Sequence, residues 1–176
     1  WESGECSTAT INVTGGAGAD SLTAGTEKSN YSGGGGIDSF IFTEGYLTSA
    51  DTLAGGDGVD ILSIAGASTV SDADFTNITS IETLTQGTAN QAQNITLGSL
   101  ADAAGLATIE GNGTGVDTIT VGAGFDNALT YAVGGAANEV FDASASAAAI
   151  NVSAAAASIT TDDTLKGGTG SSDSIT

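Results

Sequence analysis

The sequence predicts an all-β solenoid, and three observations lead to this fold class. A nine-residue pattern, G-G-x-G-x-D-x-(large apolar)-x, recurs along the chain, which is typical of proteins built from stacked coils. The chain has 27 Gly and no Pro, so turn-forming glycines are abundant and no proline punctuates the chain. Apolar residues make up 40% of the 176 residues, which is enough for a core and too many for a disordered acidic coil.

Three copies of the pattern are complete, and a fourth differs at one position. The complete copies begin at Gly15, Gly33 and Gly55, and the fourth has Asn112 in place of its first glycine. Glycine allows turn geometries that other residues disfavour and leaves carbonyl oxygens uncovered. The residues after the aspartate can form a short strand with one inward apolar side chain. Because a single coil cannot bury that side chain, we expect successive coils to stack.

The nine-residue phase continues where the glycines are lost. A four-residue insertion interrupts it in each half of the chain, at 42–45 and at 130–133. A last copy, from Gly167 onward, is one residue longer than the others. The acidic position of the pattern is kept in the imperfect copies by four residues: Asp51, Asp126, Glu139 and Asp173.

The middle of the chain, 64–111, lacks the glycine pattern but is still rich in strand-forming residues. Two short helical turns are predicted there: one over 71–75 with Ser71 as N-cap, and one over 99–104 that ends at Gly105. The run 79–85 alternates in polarity and is predicted to be one strand. No linker is visible, so the expected organisation is a single continuous solenoid over 1–176, with wider rungs in the middle.

The composition excludes several classes of function. With 2 basic and 21 acidic residues, the chain cannot neutralise a nucleic-acid backbone, and it is repelled by anionic membrane surfaces. No apolar run reaches the length of a membrane span, so membrane insertion is not expected. The absence of His and the single Cys6 remove the usual general bases, thiol–imidazole pairs and zinc sites. No nucleophile accompanies the paired carboxylates, so we do not expect an enzyme.

The complete repeats resemble the hemolysin-type (RTX) calcium-binding nonapeptide repeat. The resemblance covers roughly 15–63 and 112–175, and it implies a right-handed parallel β-roll or β-helix solenoid. The two helical turns predicted from the middle segment are expected to form corners of this solenoid. Two nonapeptides form one coil in that family, so equivalent loops lie 18 residues apart. Asp20 and Asp38 are 18 apart and should stack directly. Asp38 and Asp60 are 22 apart, which fits one coil plus the insertion.

The resemblance also implies several bound Ca²⁺ ions. Carboxylates and uncovered carbonyls are the hard oxygen ligands that Ca²⁺ prefers. The alternative is that the motif marks only turns between strands. The expected metal ligands are the glycines and acids at the repeat positions: Gly16, Gly18, Asp20, Gly34, Gly36, Asp38, Asp51, Gly56, Gly58, Asp60, Gly113, Gly115, Asp117, Asp126, Glu139 and Asp173. Other acids are expected to be ordinary surface charge, among them Asp72, Asp74, Asp102 and Asp162.

Together these features predict an extracellular calcium-binding structural protein of the bacterial cell surface. Members of the resembled family leave the cell by a type I route without a signal peptide. We expect the chain to fold on calcium and to self-associate, end to end or within a lattice or filament, as part of a surface layer. It is also expected to belong to a longer or assembling protein. Two alternatives are an adhesin segment that binds a surface, and the non-catalytic secretion domain of an exoprotein.

Overall fold

The chain forms a parallel β-solenoid of about seven turns. The computed structural model describes residues 9–43, 45–87, 91–111, 115–135, 138–154, 158–170 and 172–176. The strands form three sheets, and every strand pair within them is parallel. The predicted all-β solenoid is therefore confirmed.

One sheet runs the length of the solenoid, and we call it the long sheet. Its eight strands are contributed by successive coils, and the order in space follows the order in the chain. They are β2 (Ser21–Thr23), β4 (Ser39–Thr43), β6 (Ile61–Ala65), β9 (Thr83–Gln86), β11 (Thr108–Glu110), β13 (Leu129–Val133), β15 (Ile150–Ala154) and β17 (Ser174–Ile175).

Two shorter sheets complete the coils. The N-terminal sheet consists of β1 (Thr10–Thr14), β3 (Lys28–Gly35), β5 (Thr52–Asp57) and β8 (Ile78–Thr79). The C-terminal sheet consists of β7 (Thr69–Val70), β10 (Asn94–Leu97), β12 (Thr118–Val121), β14 (Val140–Asp142) and β16 (Thr164–Lys166). Most coils therefore have two strands, one in the long sheet and one in a shorter sheet.

One coil in the middle of the chain contains three strands instead of two. After β6 the chain enters the C-terminal sheet as β7 and then returns to the N-terminal sheet as β8. A 3-10 helix, Asp72–Phe75, joins β7 to β8, and its N-cap is Ser71. The helix α1, Ser99–Ala104, packs against the 3-10 helix and β8, and it ends at Gly105, whose φ of 102° is left-handed. Both predicted helical corners are confirmed.

The strand register follows the repeat spacing. In the long sheet Ser21 pairs with Ser39, 18 residues later, and Ser39 pairs with Ile61, 22 residues later. The insertion therefore lengthens a coil without shifting the inward-facing side chains. Inward positions such as Phe40, Leu62 and Leu84 are fully buried and pair directly across neighbouring strands. They form one core that continues along the solenoid.

The run 79–85 is not the single strand that its alternation predicts. The chain turns at Ser80, whose φ is +53°, and the two flanking segments belong to different sheets. Stacking on the preceding coil determines where the chain bends. The alternation of polar and apolar residues predicts only which side chains share a face of a strand. Within the described residues, no helix has the length and apolarity needed to cross a membrane.

Candidate metal centre

The acidic residues of the repeats occupy one defined position in the coils. Each lies immediately before a strand, and in all but Asp173 the side chain two residues later packs toward the core, as with Asp38 and Phe40. Nine acids and one glutamine, Gln93, occupy this position in the described chain: Asp20, Asp38, Asp51, Asp60, Glu82, Gln93, Asp117, Glu139, Asp163 and Asp173. All of them therefore sit at corners of the solenoid, where the chain enters a sheet.

Four acids stack along one corner of the long sheet: Asp20, Asp38, Asp60 and Glu82. We call this row the first ladder. In each step the backbone N–H of one acid donates to the carboxylate of the next coil: Asp20 to Asp38 Oδ1, Asp38 to Asp60 Oδ1, and Asp60 to Glu82 Oε2, each at 2.8 Å. The predicted stacking of Asp20, Asp38 and Asp60 is present, and Glu82 extends it.

A second ladder enters the C-terminal sheet and consists of Gln93, Asp117, Glu139 and Asp163. The backbone N–H groups of the first three donate to Asp117 Oδ1 at 2.8 Å, Glu139 Oε2 at 3.3 Å and Asp163 Oδ1 at 2.8 Å. Asp117 therefore lies at a different corner from Asp20, Asp38 and Asp60, although the four share one sequence motif.

The glycines of the motif let neighbouring corners touch backbone to backbone. Gly34 has a φ of +111°, and a Cβ added to it would collide with the carbonyl oxygen of Gly16 in the preceding coil. Gly56 has the same relationship to Gly34. Gly36 and Gly58 also have positive φ, and they stack on Gly18 and Gly36 in turn. Gly115 approaches Gln91 of the neighbouring coil, while Gly113 lies outside the described residues.

The first ladder holds two carboxylate oxygens that no donor of the described residues satisfies. Within that part of the chain, Asp38 Oδ2 and Asp60 Oδ2 are buried and have no hydrogen-bond partner, although the Oδ1 atom of each accepts a backbone N–H. A Cβ added to Gly33 would collide with Asp38 Oδ2 and would lie 2.7 Å from the Gly55 carbonyl oxygen. At Gly55, Asp60 Oδ2 and the Ser80 carbonyl oxygen converge in the same way. This donor set suits a hard cation such as Ca²⁺.

The other predicted acidic ligands differ from this arrangement. Asp51 has both oxygens occupied, because Oδ1 accepts the Ser29 N–H at 2.7 Å and Oδ2 accepts the N–H and hydroxyl of Thr48. Asp173 Oδ1 accepts the Ile150 N–H at 2.9 Å at the last coil. Asp126 is exposed and belongs to neither ladder, since its strand begins three residues later, at Leu129.

Burial changes the proton affinity of several ladder carboxylates. It raises the pKa of Glu139 to about 7, and the charge of neighbouring Asp117 adds to the effect. Burial also raises the pKa of Asp117, against the opposing effect of the Gln93 N–H. In the first ladder, burial raises the pKa of Asp60, while the backbone hydrogen bond from Asp38 lowers it. Each raised pKa means that burial disfavours the charged carboxylate. A bound cation would offset this unfavourable free energy by stabilising the charged form.

Three ladder members were not among the sequence-predicted sites: Glu82, Gln93 and Asp163. The segments that contain these residues lack the glycine pattern, so a search based on that pattern does not identify them. A different signal would have found them, namely a polar residue two positions before a large apolar one. Glu82 precedes Leu84, Gln93 precedes Ile95, and Asp163 precedes Leu165 in this way.

Two acids expected to be surface charge instead hold backbone groups in place. Asp72 accepts the N–H groups of Gly98 at 2.8 Å, Leu100 at 3.2 Å and Ala101 at 2.9 Å, so it caps the start of α1. Asp102 accepts the N–H groups of Asp126 at 3.0 Å and Asn127 at 2.8 Å in the next coil. Carboxylates thus connect coils outside the repeat motif as well.

Within the described chain, no three side chains of the His, Cys, Asp or Glu types cluster closely enough to hold a metal by themselves. A cation at the first ladder would therefore depend on backbone carbonyls as well as on carboxylates. Comparison of the chain with known protein families, curated proteins and solved structures finds no match.

Proposed function

We propose that this chain is an RTX-like, extracellular calcium-binding structural protein that folds and assembles on Ca²⁺ in a bacterial surface layer or filament. The observation that carries the proposal is a pair of buried oxygens, Asp38 Oδ2 and Asp60 Oδ2, that have no hydrogen-bond partner among the described residues and lie at corners with the carbonyl oxygens of Gly55 and Ser80. Buried polar atoms without partners are rare in native proteins and call for an explanation.

The charge of the chain supports a counterion in the folded state. Its 21 acidic residues face only 2 basic ones, for a net charge of −19. The ladders place carboxylates on successive coils, where strands are about 4.8 Å apart, so that like charges lie close together in partly buried corners. Bound Ca²⁺ supplies positive charge and oxygen coordination at such corners, and its binding free energy then adds to the stability of the fold.

The chain's own residues have separate roles in this proposal. Asp38 and Asp60 contribute one carboxylate oxygen each to the cation and keep the other on the backbone of the preceding coil. Glycines at the corners, such as Gly33 and Gly55, let these carboxylates lie against the backbone, because a Cβ there would collide with Asp38 Oδ2 or Asp60 Oδ2. Binding would therefore clamp neighbouring coils together.

Calcium removal tests the proposal. In EGTA we expect the β-type circular dichroism spectrum to be lost or the melting temperature to fall, and millimolar Ca²⁺ should restore both. Light scattering should then show assembly on Ca²⁺ addition. The variant Asp38→Ala should lose more calcium affinity than the matched control Asp162→Ala, since Asp162 is exposed and lies outside both ladders. A spectrum and melting temperature unchanged by EGTA would overturn the calcium assignment.

A further inference from the structure

The outward face of the long sheet is continuous across all eight of its strands. Side chains that alternate with the core positions form two rows on this face, each in register from strand to strand. The first row is Ser21, Ser39, Ile61, Thr83, Thr108, Thr130, Asn151 and Ser174. The second row is Thr23, Ile41, Ser63, Thr85, Glu110, Ala132 and Ser153.

These two rows contain one ionisable side chain, Glu110, in a chain of net charge −19. The remaining residues are hydroxyl, amide or aliphatic side chains of small or medium size. The shorter sheets offer no equal surface. Lys28 and Asp57 lie in strands of the N-terminal sheet, the Lys166–Asp142 ion pair lies in the C-terminal sheet, and neither sheet runs the length of the solenoid.

We propose that this outward face packs against the same face of a second copy of the chain, related by a two-fold axis. Two strongly acidic chains can approach with least repulsion through the surface that carries the fewest charges. A sheet face of small and medium-sized side chains is suited to sheet-on-sheet contact, because little side-chain rotamer freedom is lost on burial. This inference deepens the assembly part of the proposed function and rests on it.

The size of the face is consistent with a dimer. Eight strands spaced about 4.8 Å apart, each with a few outward residues, give roughly 600 Å² per copy. Two copies would bury roughly 1,200 Å², which is at the lower limit for specific protein interfaces. The association is therefore expected to be reversible and dependent on concentration.

The position of Glu110 allows a test in which the direction of the change in dimer affinity is informative. β11 is one of the two central strands of the eight, so a two-fold axis through the centre of the face brings the Glu110 side chains of the two copies close together. Like charges at such a contact weaken association. Neutralising an exposed acid ordinarily changes little, but here it should strengthen the dimer.

Sedimentation velocity over a concentration series tests this with the full chain. Glu110→Gln should tighten self-association at least threefold, whereas the control Asp162→Asn, which removes the same charge elsewhere, should change it less than twofold. Ser63→Asp adds a charge to the second row and should weaken association at least tenfold. Its control, Thr96→Asp, adds a charge to the exposed face of β10 in the C-terminal sheet and should have little effect.

The inference is wrong if Glu110→Gln and Asp162→Asn have equal effects, or if Ser63→Asp and Thr96→Asp have equal effects. A polysaccharide pull-down with the same variants tests whether the face binds a glycan instead. Variants that alter glycan binding but not self-association would also overturn the proposed interface. Each variant is measured with and without Ca²⁺, and circular dichroism confirms that it is folded. If Ca²⁺ has no effect while Glu110→Gln still tightens the dimer, the calcium function fails and the interface stands.

Discussion

The backbone N–H of Asp38 donates a 2.8 Å hydrogen bond to Oδ1 of Asp60, which lies 22 residues later in the next coil. The carboxylate thereby satisfies a buried backbone donor at the corner, where no strand partner is present. Its second oxygen, Oδ2, is buried and has no hydrogen-bond partner among the residues that the structure describes. One residue thus joins two coils and also presents an unsatisfied ligand atom, and this combination underlies the first prediction.

Asp60→Asn should have opposite effects with and without calcium. Asparagine keeps an oxygen for the Asp38 N–H and removes a charge whose burial raises the pKa of Asp60. In EGTA we expect the free energy of unfolding to rise by on the order of 1 kcal/mol. In Ca²⁺ the variant should gain less stability than the wild type. Urea titrations measure both, with exposed Asp57→Asn as control; destabilisation of Asp60→Asn in EGTA would contradict the prediction.

Stability without calcium should fall as the pH rises from 4.5 to 7. Burial, with the charge of Asp117, raises the pKa of Glu139 from 4.5 to about 7 in the folded state. A group whose pKa is raised in the folded state contributes its full stabilisation below the pKa of the unfolded state. This contribution is lost as the pH rises through the pKa of the folded state. One proton contributes at most about 1.4 kcal/mol per pH unit. In urea titrations with EGTA, Glu139→Gln should remove much of the dependence of the free energy of unfolding on pH. An unchanged pH dependence would contradict this assignment to Glu139.

Gly34→Ala should destabilise the solenoid strongly. The residue has a φ of +111°, and the added Cβ would collide with the Gly16 carbonyl of the preceding coil. Strain and collision together should cost at least about 2 kcal/mol in free energy of unfolding. The control is Gly25→Ala, where no atom lies within 4 Å of the added Cβ, and it should change stability by less than about 0.5 kcal/mol. Similar melting temperatures for the two variants would refute the stacked-corner explanation.

Asp72→Ala should destabilise the chain although sequence analysis places Asp72 among the surface charges. Its carboxylate accepts three backbone N–H groups at the start of α1, from Gly98, Leu100 and Ala101. Loss of this cap should cost about 1–2 kcal/mol. Asp162→Ala, which removes an exposed acid, should cost much less. Thermal unfolding in the presence of Ca²⁺ compares the two, and the prediction fails if they melt at the same temperature.

Much of the fold could be predicted because the repeat encodes each coil locally. Gly34 and Asp38 fix a turn and the entry to a strand, and Phe40 fixes the side that faces the core. The two helical corners can also be predicted from local signals, because Ser71 is the N-cap of one and Gly105 ends the other. Each of these features depends on conformational preferences within a few residues.

The remaining features depend on which coils become neighbours. The bend at Ser80 and the inclusion of Glu82 in the first ladder have no glycine signal, and they arise because the segment stacks on β5 and β6. The roles of Asp72 and Asp102 likewise require helix α1 and the corner at Asp126 to lie one coil away. Sequence proximity contains no information on such partners.

The sequence by itself determined a parallel-coil architecture, its 18- and 22-residue spacing and the placement of acids at corners, because the nine-residue unit and the four-residue insertion encode these features locally. Only the tertiary structure decided how those acids are used. Asp117 entered a separate ladder from Asp60, and the outward rows of the long sheet formed one face with Glu110 as its sole charge. The physical reason is that hydrogen bonds, burial and surface charge act between coils that stacking alone makes neighbours.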